Sequence, residues 1–390
     1  MKFEELNNTN VFIDGVFDFV HAGHFNALRQ AKQFGKKLIV GINSDEECFS
    51  SKGCYPIYNQ YERGELIGSC KWVDDVIIGT PYTVSESLLD KIGCKFVAHG
   101  DDPVTCSDGS DPYREPRASG RLKIFHRTEG VSTTSVVTRV FLALGIGIEN
   151  ILPNKESDDE ITASLETIYS TDGTKPDEFL DFGFSPYQSL ITASRVLSFS
   201  DGITGIENFN RRDNVVVYID GSFDIFHIGH LRMFESAKKK FGGRLLIGLY
   251  DDNTSKRIYG NTFPILKMMD RALTLLSIRI VDDLIFGAPM KISSVLIETY
   301  GITHVISCKS IENLLSFDHL NSKTDVEYFE KLENFCYEIP KKMGIFHVIP
   351  NSDSKFYSNK KILSRLVLNK EKILENICKK WSKEISFYGD

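Results

Sequence analysis

Several classes of protein are excluded by what this sequence lacks. Its eight cysteines include no C-x-x-C pair, so neither a zinc knuckle nor a dense disulfide framework is expected, and the thiols read as reduced packing residues. No apolar run approaches the roughly 18 residues of a membrane span. The start, MKFEELNNTN, lacks a charged-then-apolar leader pattern, which points to a cytoplasmic protein. Positive charge is in deficit, with a net charge of −7 and a pI near 5.8. Nucleic acid is therefore not an expected partner, and any anionic ligand must be gripped locally.

What the sequence does contain is a repeat. FIDGVFDFVHAGH, from Phe12, matches YIDGSFDIFHIGH, from Tyr218, at 8 of 13 positions, and VDDVIIGTP, from Val73, matches VDDLIFGAP, from Val281, at 6 of 9. The offset between copies moves only from 206 to 208, so one architecture is written twice. Within 390 residues this implies two core-bearing domains.

Each copy alternates short apolar runs with helical patterns, the mark of an α/β fold with parallel strands and crossover helices. Strands are expected at 11–13, 38–42, 76–78, 96–98 and 123–126, and again at 215–219, 245–249, 284–286, 304–307 and 345–349. The resulting division is 1–146, a linker at 147–214 with one helix near 186–196, and 215–390. The Lys-rich C-terminal pattern with Ile362, Leu366, Ile373, Leu374, Ile377 and Trp381 along one side reads as a helix packed on its own domain, and at most as peripheral membrane contact.

In IDGVFDFVHAGH an apolar strand runs into a glycine-containing turn, and a helix is expected from about His24. The histidine pair His21 and His24 then lies at a helix N-terminus, where free backbone N–H groups and the positive dipole end favour an anion. Gly23 between them lets the backbone approach a phosphate without a Cβ in the way. Downstream, RTEGVSTT (127–134) ends a strand at Arg127, turns at Gly130, and caps a helix through Ser132, Thr133 or Thr134.

HAGH and RTEGVSTT, in that order and with SSKG, YERGELI, KWVDDV and AHGDD between them, resemble the cytidylyltransferase family of the nucleotidyltransferase superfamily. The resemblance implies two tandem Rossmann-like nucleotidyltransferase domains and attack by a phospho-alcohol on the α-phosphorus of CTP, with Mg²⁺ accompanying the CTP. It implies catalytic roles for His21, His24, Lys52 and Arg127, with Lys52 on a flexible loop that closes over the site and Asp18 orienting a histidine. Asp14, Gly15, Phe17, Asp18, Gly23, Arg63, His99, Gly100, Thr128, Gly130, Val131, Ser132, Thr133 and Thr134 would bind CTP. No protein metal ligands are assigned, and a homodimer is compatible with the pattern.

The acceptor follows from the chemistry after His99. Asp101, Asp102, Asp108 and Asp111, with Tyr113 as the lone aromatic of that stretch, suit an ammonium with N–H donors better than a quaternary nitrogen. Phosphoethanolamine is thus the expected acceptor, bound by Asp101, Asp102 and Tyr113 with a ring from Trp72; phosphocholine is the alternative, and a non-catalytic nucleotide sensor the alternative of another class. The second copy keeps Asp224, His227 and His230, enough to lodge a phosphate. It has Ser307, Cys308 and Lys309 in place of His99, Gly100 and Asp101, and Val348 and Ile349 in place of Arg127 and Thr128, so it is expected to be degenerate.

Overall fold

The computed structural model describes residues 9–146, 191–192, 215–307, 323–349 and 357–388, apart from 103, 107, 108, 129 and 261. The first domain runs β1 (Asn10–Gly15), α1 (Ala22–Lys32), β2 (Lys37–Asn43), α2 (Asp45–Lys52), α3 (Gln60–Gly68), β3 (Asp75–Thr80), α4 (Glu86–Lys91), β4 (Phe96–Gly100), α5 (Arg114–Ala118), β5 (Leu122–Phe125) and α6 (Thr133–Ala143). All five strands are parallel in the order β3-β2-β1-β4-β5. The connection reverses direction beside β1, so the crevice for a ligand opens at the carboxyl ends of β1 and β4. Val11, Phe12, Leu38, Val40 and Val97 are fully buried, which is why these strands read as apolar runs without alternation.

Between the domains, β6 (Ile191–Thr192) is described. The second domain repeats the plan through β7 (Val216–Gly221), α7 (Ile228–Phe241), β8 (Arg244–Leu249), α8 (Asp252–Tyr259), α9 (Met268–Ser277), β9 (Asp283–Phe286), α10 (Ser294–Tyr300) and β10 (His304–Ser307). It ends in α11 (Lys323–Cys336), α12 (Glu338–Lys342), β11 (Phe346–His347), α13 (Asn359–Leu368) and α14 (Lys370–Tyr388). The order is β11-β10-β7-β8-β9-β6, with β6 antiparallel to β9.

Four local expectations are corrected. The described pair Ile191–Thr192 is strand, not part of a helix at 186–196, because its β-branched residues pair with the open edge of β9. The helix after the first histidine begins at Ala22: the His21 imidazole accepts the Gly23 N–H at 3.1 Å and caps it. Lys52 ends helix α2, closed by Gly53 at φ 68°, rather than riding a loop. The C-terminal pattern is two helices broken at Asn369, and Ile362, Leu366 and Ile377 are buried in the protein's own core. No described helix is long and apolar enough to cross a membrane, and the seven described cysteines are free thiols.

The two domains meet about a local two-fold axis. Cys70 bridges antiparallel to Ile278, its own counterpart at offset 208, with Lys71 N–H donating to Ser277 O at 2.9 Å and Arg279 N–H to Ser69 O at 2.8 Å. α1 packs on α9 and, reciprocally, α7 on α3. One apolar cluster runs through both domains. Ile278→Asp would bury an unpaired carboxylate on the axis and is expected to destabilise by about 3 kcal/mol or more. Calorimetry should show a single transition at lower temperature; two separate transitions would mean that the domains fold independently.

Candidate active site

The turn after β1 is built under strain. Phe17 and Phe19 hold φ 51° and 52°, conformations that cost about 1–3 kcal/mol each for residues with a Cβ. Between them, Asp18 turns inward, and its carboxylate accepts N–H bonds from Ile57 at 2.8 Å, Tyr58 at 3.0 Å and Phe19 at 3.0 Å. Asp18 therefore fastens the segment before α3 and does not orient a histidine as expected. The left-handed residues Phe17 and Phe19, followed by extended His21, lead the chain into α1, with His21 as its cap.

His21 and His24 stack with ring centroids 4.0 Å apart. Because His21 Nδ1 accepts the Gly23 N–H, its Nε2 carries the proton and faces Thr133 Oγ1 at 3.4 Å. His24 packs edge-on against Phe17 at 5.6 Å. Burial, then the Arg127 and Lys52 cations, lower its pKa to about 3, so the imidazole is neutral. Gly23 is required sterically as well as for access: a Cβ there would lie 2.9 Å from the His21 ring and 3.2 Å from Val131.

The second motif closes over this pair. Gly130 takes φ 75° to make the turn, and Ser132 caps α6 by accepting the Ser135 N–H. Thr133 Oγ1 donates to Asp18 O, and Asn26 of α1 donates to Thr128 Oγ1 at 2.8 Å. Thr134 sits in the first turn of α6. Arg127 is exposed, with its backbone N–H on Asp101 at 2.9 Å and its guanidinium 3.4 Å from Asp102. Two cations and the N-terminal ends of α1 and α6 thus surround one space, a setting for several phosphate oxygens.

Beside it lies a pocket of about 100 Å³ lined by Asp14, Gly15, Asn43, Tyr82, His99 and Tyr113 among others. Tyr113 lies tilted at 44° against His99, with centroids 4.6 Å apart, and donates its hydroxyl to Asp14 at 2.8 Å. Burial pushes the Asp14 pKa up to about 6, with Tyr113, His99 and Asn43 opposing it.

The expected acceptor residues are only partly brought together here. Tyr113 lines the pocket, but Asp101 binds Arg127 and His126, Asp102 faces Arg127, and Asp111 pairs with Arg117 at 2.8 Å; Asp108 lies outside the described residues. Trp72 precedes β3 at its amino end, beside Lys71 and the inter-domain bridge, because the sheet puts residues before and after a strand on opposite rims. Asn43 and Tyr82, absent from the expected set, stand at the carboxyl ends of β2 and β3. Their signal was position, each at or just beyond a strand's carboxyl end, where a parallel sheet places its ligands.

Arg63 is also corrected. It is fully buried and donates to Tyr58 O, Val16 O, Asn43 O and Asp45, leaving nothing to reach a triphosphate. The second domain has the same network around Arg271, with Leu266 O, Ser222 O, Tyr250 O and Asp252. Asp224 likewise repeats Asp18, accepting from Ile265 and Leu266. These two residue types belong to the architecture of either copy.

What differs in the second copy is space. His227 and His230 are fully buried, and burial lowers the His227 pKa to about 3. A Cβ on Gly229 would lie 2.4 Å from Tyr357 O, so no phosphate fits where one was expected to lodge. Where the first domain has Asn43, strand register puts Tyr250, and its hydroxyl and that of Tyr337 both donate to Asp220. The pocket is filled by a ring. The expected match of Val348 with Arg127 is corrected: Lys123 pairs with Ala98 as His347 pairs with Ile306, so exposed Val348 stands where the first domain has Ile124, and the counterpart of Arg127, like Cys308 and Lys309, lies outside the described residues.

A family model described as cytidylyltransferase-like matches residues 12–139 and 218–364. The chain belongs to the cytidylyltransferase-like family. It is 32% identical to ethanolamine-phosphate cytidylyltransferase of Dictyostelium discoideum over 97% of this chain and 96% of that one. With the Arabidopsis thaliana protein of the same name it shares 34% identity over 97% of this chain and 85% of that one. Choline-phosphate cytidylyltransferase A of Rattus norvegicus is 37% identical, but over only 33% of this chain and 36% of that protein. The match thus holds on both copies for the former and on one domain's length for the latter.

A carboxyl whose pKa rises from 3.8 to about 6 on folding costs about 3 kcal/mol once ionised. Because the folded protein binds this proton more tightly, the cost is complete above pH 6 and vanishes as the pH falls toward 4. Asp14→Asn is expected to raise stability by about 2–3 kcal/mol at pH 7.5, with the gain closing below pH 6. Denaturant titrations across pH check this, and a variant less stable than the parent at pH 7.5 contradicts it.

Proposed function

We propose that the protein transfers the cytidylyl group of CTP to phosphoethanolamine, forming CDP-ethanolamine and pyrophosphate in the first domain. The observation that carries this reading is the joining of a phosphate-sized space, walled by His21, His24, Lys52 and Arg127, to a small pocket floored by the Asp14 carboxylate. The near-full-length relatives named for this reaction support it.

A phosphate oxygen of the acceptor attacks the α-phosphorus of CTP, and the bond to the β-phosphate oxygen breaks. The neutral imidazoles donate N–H bonds to the α-phosphate oxygens, and these bonds strengthen as charge builds toward the five-coordinate transition state. Arg127 grips departing phosphate oxygens, the capped end of α6 with Thr133 and Thr134 receives the pyrophosphate, and Lys52 bridges the two anionic substrates. In the pocket, the ammonium of phosphoethanolamine donates to Asp14 and lies against the Tyr113 and Tyr82 rings. A trimethylated nitrogen has no donor for Asp14 and is larger.

Magnesium fits as a companion of CTP. No described group of three or more His, Cys, Asp or Glu is arranged to hold a metal, and Asp18 already accepts three backbone N–H bonds. The ion would be held by phosphate oxygens and water, and once bound it supplies neutralising charge to the triphosphate.

His21→Ala or His24→Ala is expected to lower kcat by roughly 10²–10³, whereas replacing His227 and His230 together leaves kcat within about twofold while lowering thermal stability. Pyrophosphate release at saturating substrates compares them, and substantial turnover by His21→Ala protein overturns the assignment of one working site. In the same assay phosphoethanolamine should exceed phosphocholine in kcat/KM by at least about 10²-fold; equal values overturn the acceptor.

A further inference from the structure

The strap from Lys52 to Tyr58 joins α2 to α3 and carries Lys52 at its outer end. Its inner end is fixed within the first domain, where Asp18 accepts the Ile57 and Tyr58 N–H bonds and Phe19 stacks on Tyr58 at 5.7 Å. The outer end is held from the second domain. Asn376 of α14 donates its amide to Lys52 O at 2.9 Å and lies 3.2 Å from Cys54 Sγ. Lys372, one turn earlier, lies over Gly53 so closely that a Cβ there would be 2.8 Å from its Cε.

Arg365 of α13 supports the inner end of the same strap. Its guanidinium donates to Ile57 O at 3.3 Å and to Glu62 at 2.8 and 3.0 Å. Glu62 is 4% exposed and completes the capping box of α3, the helix that places Arg63. Contacts from α13 and α14 therefore reach the main chain at Lys52 itself and again at Ile57, farther along the strap. The Lys52 side chain itself is exposed, and only its main chain is anchored.

We propose that Asn376 is a positioning residue for Lys52: the second domain, whose own site is filled, completes the working site by fixing the main chain from which Lys52 reaches across the substrates. This rests on the reaction assigned above. With the carbonyl of Lys52 tethered, the side chain searches a smaller volume, and less conformational entropy is lost when it closes on the phosphates.

A double-mutant cycle with an exchange measurement tests it. Asn376→Ala should lower kcat/KM for CTP by about tenfold with an unchanged melting temperature, and should cost nothing further in the Lys52→Ala background. Amide hydrogen exchange at residues 50–55 should quicken in Asn376→Ala protein, while Ile57 and Tyr58 stay protected by Asp18. Parental activity in Asn376→Ala, losses that multiply with Lys52→Ala, or unchanged exchange would each overturn the proposal. If Lys52→Ala alone is fully active, the Lys52 role falls and the proposal with it. Parental protein that makes no CDP-ethanolamine refutes the assigned reaction, and the exchange measurement, which needs no turnover, still judges the tether.

Discussion

The site depends on one buried guanidinium. Arg63 collects a carbonyl from the turn after β1, one from the end of β2, one from the strap and the carboxylate that opens α2. The turn after β1, the junction of β2 with α2 and the strap before α3 are thereby held at one point. Its charge is balanced by Asp45 at 2.6 Å, so it is stable where it lies, but removal would leave buried acceptors unpaired at a cost of about 3–5 kcal/mol. The strained turn carrying Phe17 and Phe19 is maintained against this frame, and so is the placing of both histidines.

That frame is what the second domain has kept. Arg271 and Asp224 repeat the bonds of Arg63 and Asp18, and Phe223 and Ile225 repeat the left-handed backbone at φ 51°. There the same frame holds apolar and aromatic groups: Tyr250 donates to Asp220 at the position of Asn43, and Tyr357 O lies against Gly229 where the first copy is open. Removal of water from His227 and His230 makes them packing residues. The two-fold arrangement that pairs Cys70 with Ile278 then lets this domain brace the first.

The sequence by itself determined the doubled α/β plan, because buried parallel strands require continuous apolar runs whatever their neighbours. It also determined which copy keeps the second signature, since no Arg-Thr-x-Gly run occurs in the other. The strand positions fell within a residue or two, and the histidine pair stood where a helix N-terminus was expected.

Only the tertiary structure decided what each charged group faces. Arg63 and Arg127 look alike in a motif, yet one is sealed against carbonyls and the other is open to solvent. Asp101 and Asp102 adjoin the pocket in sequence but turn to Arg127 and His126, while Asp14 and Tyr113, 99 residues apart, form its floor. Trp72 lies on the wrong rim of the sheet, and the tether from Asn376 to Lys52 spans 324 residues. Charge pairing and access to solvent are set by through-space distance, which local periodicity and motif spacing do not encode.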